Sequence, residues 1–151
     1  MIFVCDVMLG KLARYLRTLG FDARYVRQGE DPASFPAPSC QCVFLTRRHD
    51  RTGRPHTVVI RDNDPAKQIL EIKEIIDRHV DPKAFMSRCL ECNIPLIDTP
   101  KEEIEPFVPE YIYHHHDRFK TCPSCKKVYW EGSHAEEMRE WLEKLIDGAA
   151  R

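Results

Sequence analysis

Two Cys-x-x-Cys pairs constrain the fold of this chain more than any other sequence feature. Cys89 and Cys92 form the first pair, and Cys122 and Cys125 form the second. A tight turn within each pair brings two sulfurs together, and two such turns supply the four tetrahedral ligands that Zn²⁺ prefers. Because four thiolates fill the coordination sphere, we expect a structural zinc ion. The alternative is a pair of redox dithiols, but such a pair normally begins a helix after a strand.

The remaining composition is that of a globular chain without a strong charge preference. The chain has 151 residues, a formal net charge of -1 and seven cysteines. An odd number of cysteines, four of them in pairs typical of metal sites, favours a reducing compartment, so we predict a cytoplasmic protein. No apolar run approaches the roughly 20 residues of a membrane helix, so we expect no membrane partner. The start of the chain lacks the features of a secretory signal.

The first part of the chain alternates between strand and helix patterns. Short apolar runs predict four strands, at residues 2–5, 21–26, 42–46 and 57–61. Helical spacing of apolar residues from Leu9 to Leu19 predicts a helix that ends at Gly20, with Arg17 and Thr18 on its other faces. Asp64 and Pro65 begin a second helix that continues to about His79. This order of elements predicts an α/β fold with a mainly parallel sheet flanked by helices.

The character of the chain changes after this alternation. We predict a first domain at 1–84, a cysteine-bearing unit at 85–131, and a C-terminal helix at 132–151 that packs on the rest. Ser133 is the expected cap of that helix, with Glu136 as its reciprocal acid. Cys5 and Cys42 lie in apolar strand runs and are expected in the core, whereas Cys40 is expected to be a free loop thiol. The run 114–116 is interpreted as solvated histidines.

Acidic residues follow each predicted strand. They are Asp6, Asp31, Asp50, Asp62 and Asp64. Ligands of open parallel sheets bind beyond the carboxyl ends of the strands, so these acids are expected at one edge. Clustered carboxylates repel each other unless a cation lies among them, and Mg²⁺ or Mn²⁺ suits an all-oxygen site. Such a metal is the usual equipment for hydrolysing a phosphodiester. The alternative is that the acids serve turns and helix caps, as Asp residues in loops often do.

Basic residues accompany the first of these acids. Lys11, Arg14 and Arg17 lie on the helix that follows Asp6, and Arg47 follows the third strand. These basic side chains are predicted to hold the phosphate backbone of a nucleic acid near the metal. A solvated helix face is the alternative interpretation.

Four motifs, in order along nearly the whole chain, closely resemble the Mut-seven C-terminal ribonuclease domain family. They are Asp6-Val-Met-Leu-Gly-Lys-Leu-Ala-Arg-Tyr-Leu-Arg-Thr-Leu-Gly20, Leu45-Thr46-Arg47, Ser87-Arg88-Cys89-Leu-Glu-Cys92-Asn93 and Cys122-Pro-Ser-Cys125-Lys-Lys-Val-Tyr-Trp-Glu-Gly-Ser-His134. The resemblance implies a PIN-like nuclease domain followed by a zinc ribbon. PIN-like nucleases cleave RNA with clustered acids and Mg²⁺ or Mn²⁺. Asp6 and Asp31 match the family's first two acids and are the implied metal ligands.

The third acid of the family pattern is replaced in this chain. Its place after Leu-Thr-Arg holds Arg48, and the nearest acid is Asp50. Either Asp50 has taken over as the third catalytic acid, or the metal site is weakened or lost. Two functions follow, a metal-dependent ribonuclease and a non-catalytic RNA-binding protein of the same fold. Trp130 and His134 are predicted RNA contacts in either case, although Trp130 could instead pack the ribbon against the nuclease domain. A toxin of a toxin–antitoxin pair is a third interpretation, which the ribbon disfavours.

Overall fold

The computed structural model describes residues 1–148, which fall into two compact units, Met1–Phe85 and Met86–Arg151. The last residues of the predicted C-terminal segment, 149–151, lie outside the described part of the chain. Within residues 1–148, no helix is both long and apolar enough to cross a membrane.

The first unit is built on a four-stranded parallel sheet. Its strands are β1 (Ile2–Cys5), β2 (Asp22–Tyr25), β3 (Cys42–Thr46) and β4 (Thr57–Val59), in the order β2-β1-β3-β4. Ile2 lies opposite both Asp22 and Cys42, so the central strand is in register with both neighbours. All four carboxyl ends therefore meet at one edge. The predicted α/β fold with a parallel sheet is confirmed.

Helix α1 (Gly10–Thr18) follows β1 and packs its apolar face into the core. Leu12, Ala13 and Leu16 are all buried, as their helical spacing predicts. The prediction that Arg17 and Thr18 lie on exposed faces is wrong, because both are buried. The buried face of α1 extends beyond its apolar residues. It includes these two polar side chains, which donate hydrogen bonds to nearby carbonyls.

The predicted second helix is two helices. They are α2 (Pro65–Glu71) and α3 (Lys73–His79), and the backbone departs from helical geometry at Ile72, where φ is -114°. Ile69, Ile72 and Ile76 are all buried, as their spacing on one helix face predicts. The predicted cap is confirmed, since the Asp64 carboxylate accepts a hydrogen bond from the Ala66 amide at 3.0 Å.

Strand β4 ends at Val59, two residues before its predicted end at 61. The amides of Arg61 and Asp62 bond to the carboxylate of Glu71 instead of to a strand, at 2.9 and 2.8 Å. The other connections of this unit contain 3₁₀ turns at Pro32–Ser34, His49–Arg51 and Pro82–Ala84. The first of these lies in the Pro-rich loop that follows β2.

The second unit combines a three-stranded antiparallel sheet with short helices. The strands are β5 (Ile97–Thr99), β6 (Phe119–Thr121) and β7 (Val128–Trp130), in chain order across the sheet, and the helices are α4 (Lys101–Ile104), α5 (Glu110–His115) and α6 (Ser133–Gly148). A further 3₁₀ turn at Glu105–Phe107 lies between α4 and α5. Ser133 is not the cap of α6, since the Glu136 amide donates to the carbonyl of Gly132, which places Gly132 at the cap.

Candidate metal centre and carboxylate edge

The four cysteines of the two pairs converge on one centre. Their sulfurs all lie within 4.8 Å of one another, and the sulfurs of Cys89 and Cys125 are 3.7 Å apart. A tetrahedral ion with Zn–S bonds of about 2.3 Å places its sulfurs about 3.8 Å apart. Both the donor atoms and their spacing therefore fit Zn²⁺. The four cysteines are placed so that they could hold a zinc ion.

Two nearly identical backbone turns position these sulfurs. The Cys92 amide donates to the Cys89 sulfur at 3.4 Å, and the Cys125 amide donates to the Cys122 sulfur at 3.5 Å. After each pair the chain reverses through one residue with positive φ, Asn93 at 60° and Lys126 at 64°. Amide-to-sulfur bonds stabilise thiolates, so each turn presents its pair ready for a cation.

Tyr129 on β7 extends this centre, and the sequence interpretation assigned it no role. Its hydroxyl accepts a hydrogen bond from the Leu90 amide at 3.0 Å and lies 3.2 Å from the Cys89 sulfur. Burial raises the pKa of Cys89, but hydrogen bonds from Tyr129 and the backbone amides of Cys92 and Glu91 outweigh it and lower the pKa to about 7. Tyr129 therefore favours the thiolate form that a metal requires.

The remaining cysteines lie apart from this centre, as predicted. Cys5 and Cys42 are buried in the first unit and Cys40 is exposed. Burial raises the pKa of Cys5 to about 12, so that thiol is held protonated.

Asp6 lies directly after β1, at the carboxyl edge of the parallel sheet. One carboxylate oxygen accepts a hydrogen bond from the Thr46 hydroxyl at the end of β3, and the other accepts one from the Val7 amide, both at 2.8 Å. Thr46 is fully buried. The neighbouring strand thus fixes the orientation of the Asp6 carboxylate, which is a half-buried acid at the edge where ligands of such sheets bind.

The other two predicted catalytic acids have local partners. Asp31 accepts a hydrogen bond from the Ala33 amide at 2.9 Å and so caps a 3₁₀ turn. Asp50 forms an exposed ion pair with Arg48 at 3.0 Å, and this hydrogen bond lowers the pKa of Asp50. Among residues 1–148, the four cysteines are the one group of three or more His, Cys, Asp or Glu side chains close enough to share an ion. Asp6, Asp31 and Asp50 do not form such a group.

The acids that follow β4 also serve the backbone. Asp62 accepts from the Asp64 amide at 2.8 Å, and Asp64 caps α2. These contacts match the alternative interpretation of the strand-end acids as turn and cap residues.

A cleft of about 430 Å³ opens beside Asp6 within the first unit. Its floor includes Val4 and Phe44, and its rim carries Arg48 and Arg51. The sequence analysis treated Arg48 only as the residue that replaces the family's third acid. It assigned no role to Arg51.

The predicted basic surface is only partly present. Lys11 and Arg14 are exposed on α1. Arg17 is 8% exposed, and its Nε donates to the carbonyl of Ala23 on β2 at 2.8 Å, so it is a buried link between helix and strand. The Arg47 guanidinium bonds to the Asp62 carbonyl and to the Asn63 side chain, and it joins the loops after β3 and β4. Of the four predicted bases, Lys11 and Arg14 have the exposure that a phosphate contact needs.

Two single substitutions, Arg17→Met and Arg14→Met, should distinguish the structural role of Arg17 from the RNA-binding role of Arg14. Arg17→Met is expected to lower the free energy of unfolding by about 1–3 kcal/mol, because it removes a buried hydrogen bond from the Arg17 guanidinium to the Ala23 carbonyl. Arg14→Met should change that free energy by less than about 0.5 kcal/mol, yet it should reduce the salt dependence of RNA binding by about one unit of slope. Urea unfolding and RNA titrations at several salt concentrations measure both effects. If the folded Arg17→Met variant also showed a reduced salt dependence of RNA binding, the assignment of Arg17 as a purely structural residue would be contradicted.

Trp130 and His134 lie in the second unit at different degrees of exposure. Trp130 ends β7 half-buried, and it lines a cavity of about 240 Å³ together with Arg118 and Lys120. His134 is exposed in the first turn of α6. Their RNA contacts stay predictions. Of the histidine run 114–116, His114 and His115 are exposed, as predicted, whereas His116 is half-buried.

The chain thus combines a parallel α/β unit that carries an oriented acid at its carboxyl edge with a second unit in which a four-cysteine centre lies beside a small antiparallel sheet. The model of the family described as Mut7-C RNAse domain matches residues 1–142, so the chain belongs to that family. Comparisons with curated proteins and with solved structures returned no match.

Proposed function

We propose that this chain is a metal-dependent ribonuclease that hydrolyses phosphodiester bonds of RNA, with a structural zinc ion in its second unit. The observation that carries the proposal is the position of Asp6. This acid ends the central strand β1, is oriented by Thr46 from the adjacent strand, and opens onto a cleft. Membership of a ribonuclease domain family supports RNA as the substrate.

Mg²⁺ or Mn²⁺ is the catalytic cofactor that we propose, since such an ion neutralises charge that develops on the phosphate. The acids in their present arrangement do not fit a three-ligand site. Asp31 caps a turn and Asp50 is paired with Arg48, so each must change partner to join Asp6. We therefore assign no catalytic step to the ion. Asp6 itself can orient an attacking water, because its carboxylate is held rigidly and faces the cleft.

We propose that RNA binds to exposed basic side chains near the carboxyl edge of the parallel sheet and to aromatic side chains in the second unit. Lys11 and Arg14 follow Asp6 on α1, where a phosphate backbone would pass. In the second unit, Trp130 lies beside Arg118 and Lys120, a combination that suits an unpaired base and its phosphate.

A non-catalytic RNA-binding protein is the second candidate function. The ion pair between Arg48 and Asp50 favours it, because it places a cation where the family pattern has an acid and occupies the nearest replacement. Both candidates bind RNA, and they differ in whether a divalent ion leads to cleavage.

We also propose that the protein functions in a reducing compartment, namely the cytoplasm. All seven cysteines are free thiols, and four of them converge on a centre that requires thiolates. Oxidation would remove those ligands.

The decisive experiment compares Asp6→Asn with the wild-type chain in RNA cleavage assays with Mg²⁺ and with Mn²⁺. The amide keeps the size and the hydrogen-bond acceptor for Thr46 but removes the charge, so cleavage should fall by about 10²- to 10⁴-fold. Asp77→Asn is the matched control, since it removes the same charge from the exposed face of α3, and it should cleave normally. Wild-type protein that binds RNA but does not cut it with either ion would establish the second candidate instead.

A further inference from the structure

Two arginines lie together on the rim of the cleft beside Asp6. The 3₁₀ turn His49–Arg51 separates Arg48 from Arg51 by three residues, and the Arg51 amide donates to the Arg48 carbonyl at 3.1 Å. Arg48 is the extended residue before this turn, with φ of -81° and ψ of 111°, and Arg51 is the last residue of the turn. Both arginines line the cleft. Two guanidinium groups therefore lie at the same cleft.

Arg51 carries a polar atom that lacks a partner. Its Nε is buried and makes no hydrogen bond, although the side chain lines the cleft. A buried donor without a partner destabilises the folded chain, and each such atom in a native structure calls for an explanation. The rest of this guanidinium belongs to a side chain that lines the cleft, where a bound anion can reach it.

Arg48 can also exchange its present partner. Its ion pair with Asp50 is exposed on both sides, at 57% and 60% of the two side chains. Exposed ion pairs of this kind stabilise a fold little because solvent screens them, so an incoming anion can replace Asp50 beside Arg48. The Arg48 amide donates to the Thr46 hydroxyl, which in turn donates to Asp6. The turn is therefore fixed relative to the acid.

The other walls of the cleft are apolar. Phe35 and Phe44 pack against the buried residues Val4, Val26 and Cys42, and Pro36 and Pro38 continue this wall from the loop after β2. The volume of about 430 Å³ lies within the range of about 300–1,000 Å³ that is usual for small-ligand sites. The cleft thus combines an apolar surface for a planar group with two cations for an anion.

We propose that this cleft binds a nucleotide, with its phosphate between Arg48 and Arg51 and its base against the wall formed by Phe35, Pro36 and Phe44. The phosphate accepts hydrogen bonds from the Arg51 guanidinium and takes the place of Asp50 beside Arg48. Guanidinium groups suit this task because they bind phosphate oxygens in pairs. The nucleotide is either free or the terminal residue of an RNA strand. The inference rests on the proposed function only for that second source.

Calorimetric titration of the zinc-loaded 151-residue chain tests the site with three probes. Adenosine 5′-monophosphate should bind at least about 10-fold more tightly than adenosine, which lacks the phosphate, or than inorganic phosphate, which lacks the base. This comparison needs no variant and so does not depend on the folding of one. Adenosine binding as tightly as its monophosphate would overturn the proposal.

Arg51→Met supplies the second arm, with Arg54→Met as its matched control. Arg54 lies in the same loop and is exposed outside the residues that line the cleft. Arg51→Met should weaken binding of the monophosphate by at least about 10-fold, whereas Arg54→Met should leave it unchanged. Equal effects of the two substitutions would show a non-specific charge effect and overturn the site.

Short RNA strands with and without a 5′-phosphate separate the two sources of the nucleotide. Tighter binding of the phosphorylated strand, lost in Arg51→Met, assigns the cleft to an RNA terminus, and equal binding of the two strands assigns it to free nucleotide. Monophosphate binding that depends on Arg51, in a chain that cuts no RNA, would sustain this site and refute the ribonuclease. Cleavage that depends on Asp6 without monophosphate binding would do the reverse.

Discussion

Replacing Cys122 with serine is expected to abolish zinc binding and to unfold the second unit while the first unit stays folded. Cys122 is fully buried, and the hydrophobic side chains buried with the two inner cysteines among the described residues of this unit are Ile104, Phe119 and Leu142. A core so small cannot hold the unit without a staple. Structural zinc supplies about 10–16 kcal/mol of apparent free energy in comparable small domains, so its loss should exceed the stability of the unit.

Amide spectra of labelled protein would measure this unfolding unit by unit. Signals from residues 86–148 should collapse to random-coil positions in Cys122→Ser, and signals from 1–85 should keep their dispersion. Cys40→Ser is the matched control, because it changes an exposed thiol in the first unit. Elemental analysis should find one zinc per chain in the wild type and in the control. Wild-type protein purified without chelator that contains no zinc would refute the assignment.

The cysteine centre and α1 could be predicted from sequence because their signals are local. Each Cys-x-x-Cys turn is complete within a few residues, and its backbone bonds follow from that spacing. The end of α1 is equally local. The Gly20 amide bonds to the Arg17 carbonyl and the Phe21 amide bonds to the Leu16 carbonyl, which together are the hydrogen bonds of a Schellman cap. The order of apolar runs likewise predicted the parallel sheet.

Features that depend on distant partners could not be predicted in the same way. From helical spacing alone, Arg17 is predicted to be exposed. In the structure its guanidinium is buried because it donates a hydrogen bond to the carbonyl of Ala23 on β2. The early end of β4 depends on Glu71, from the following helix. The ion pair of Asp50 with Arg48 and the position of Arg51 depend on a 3₁₀ turn within a polar loop that carries no apolar periodicity. Sequence placed Asp6 at the sheet edge, but the hydrogen bond from Thr46 that orients it joins two strands.

Gly20→Ala is expected to destabilise the first unit strongly, by two separate effects. The glycine has φ of +95°, a conformation that costs an L-residue with a side chain about 1–2 kcal/mol. A Cβ atom at this position would also lie 2.4 Å from the carbonyl oxygen of Ala84. That neighbour is backbone, so it cannot rotate away as a flexible side chain would. Overpacking of this kind adds about 1–3 kcal/mol, and the total corresponds to a fall in melting temperature of about 10–20 °C.

Gly29→Ala isolates the backbone effect from the steric one. Gly29 has a similar φ of +89°, but a Cβ atom there would meet nothing within 4 Å. Alanine at residue 29 should therefore cost only the conformational part, about 1–2 kcal/mol. Thermal unfolding of the two variants beside the wild type gives the difference, which measures how closely the end of α1 packs against the segment that contains Ala84. Equal losses in both variants would mean that this contact relaxes freely, and the steric contribution would then be absent.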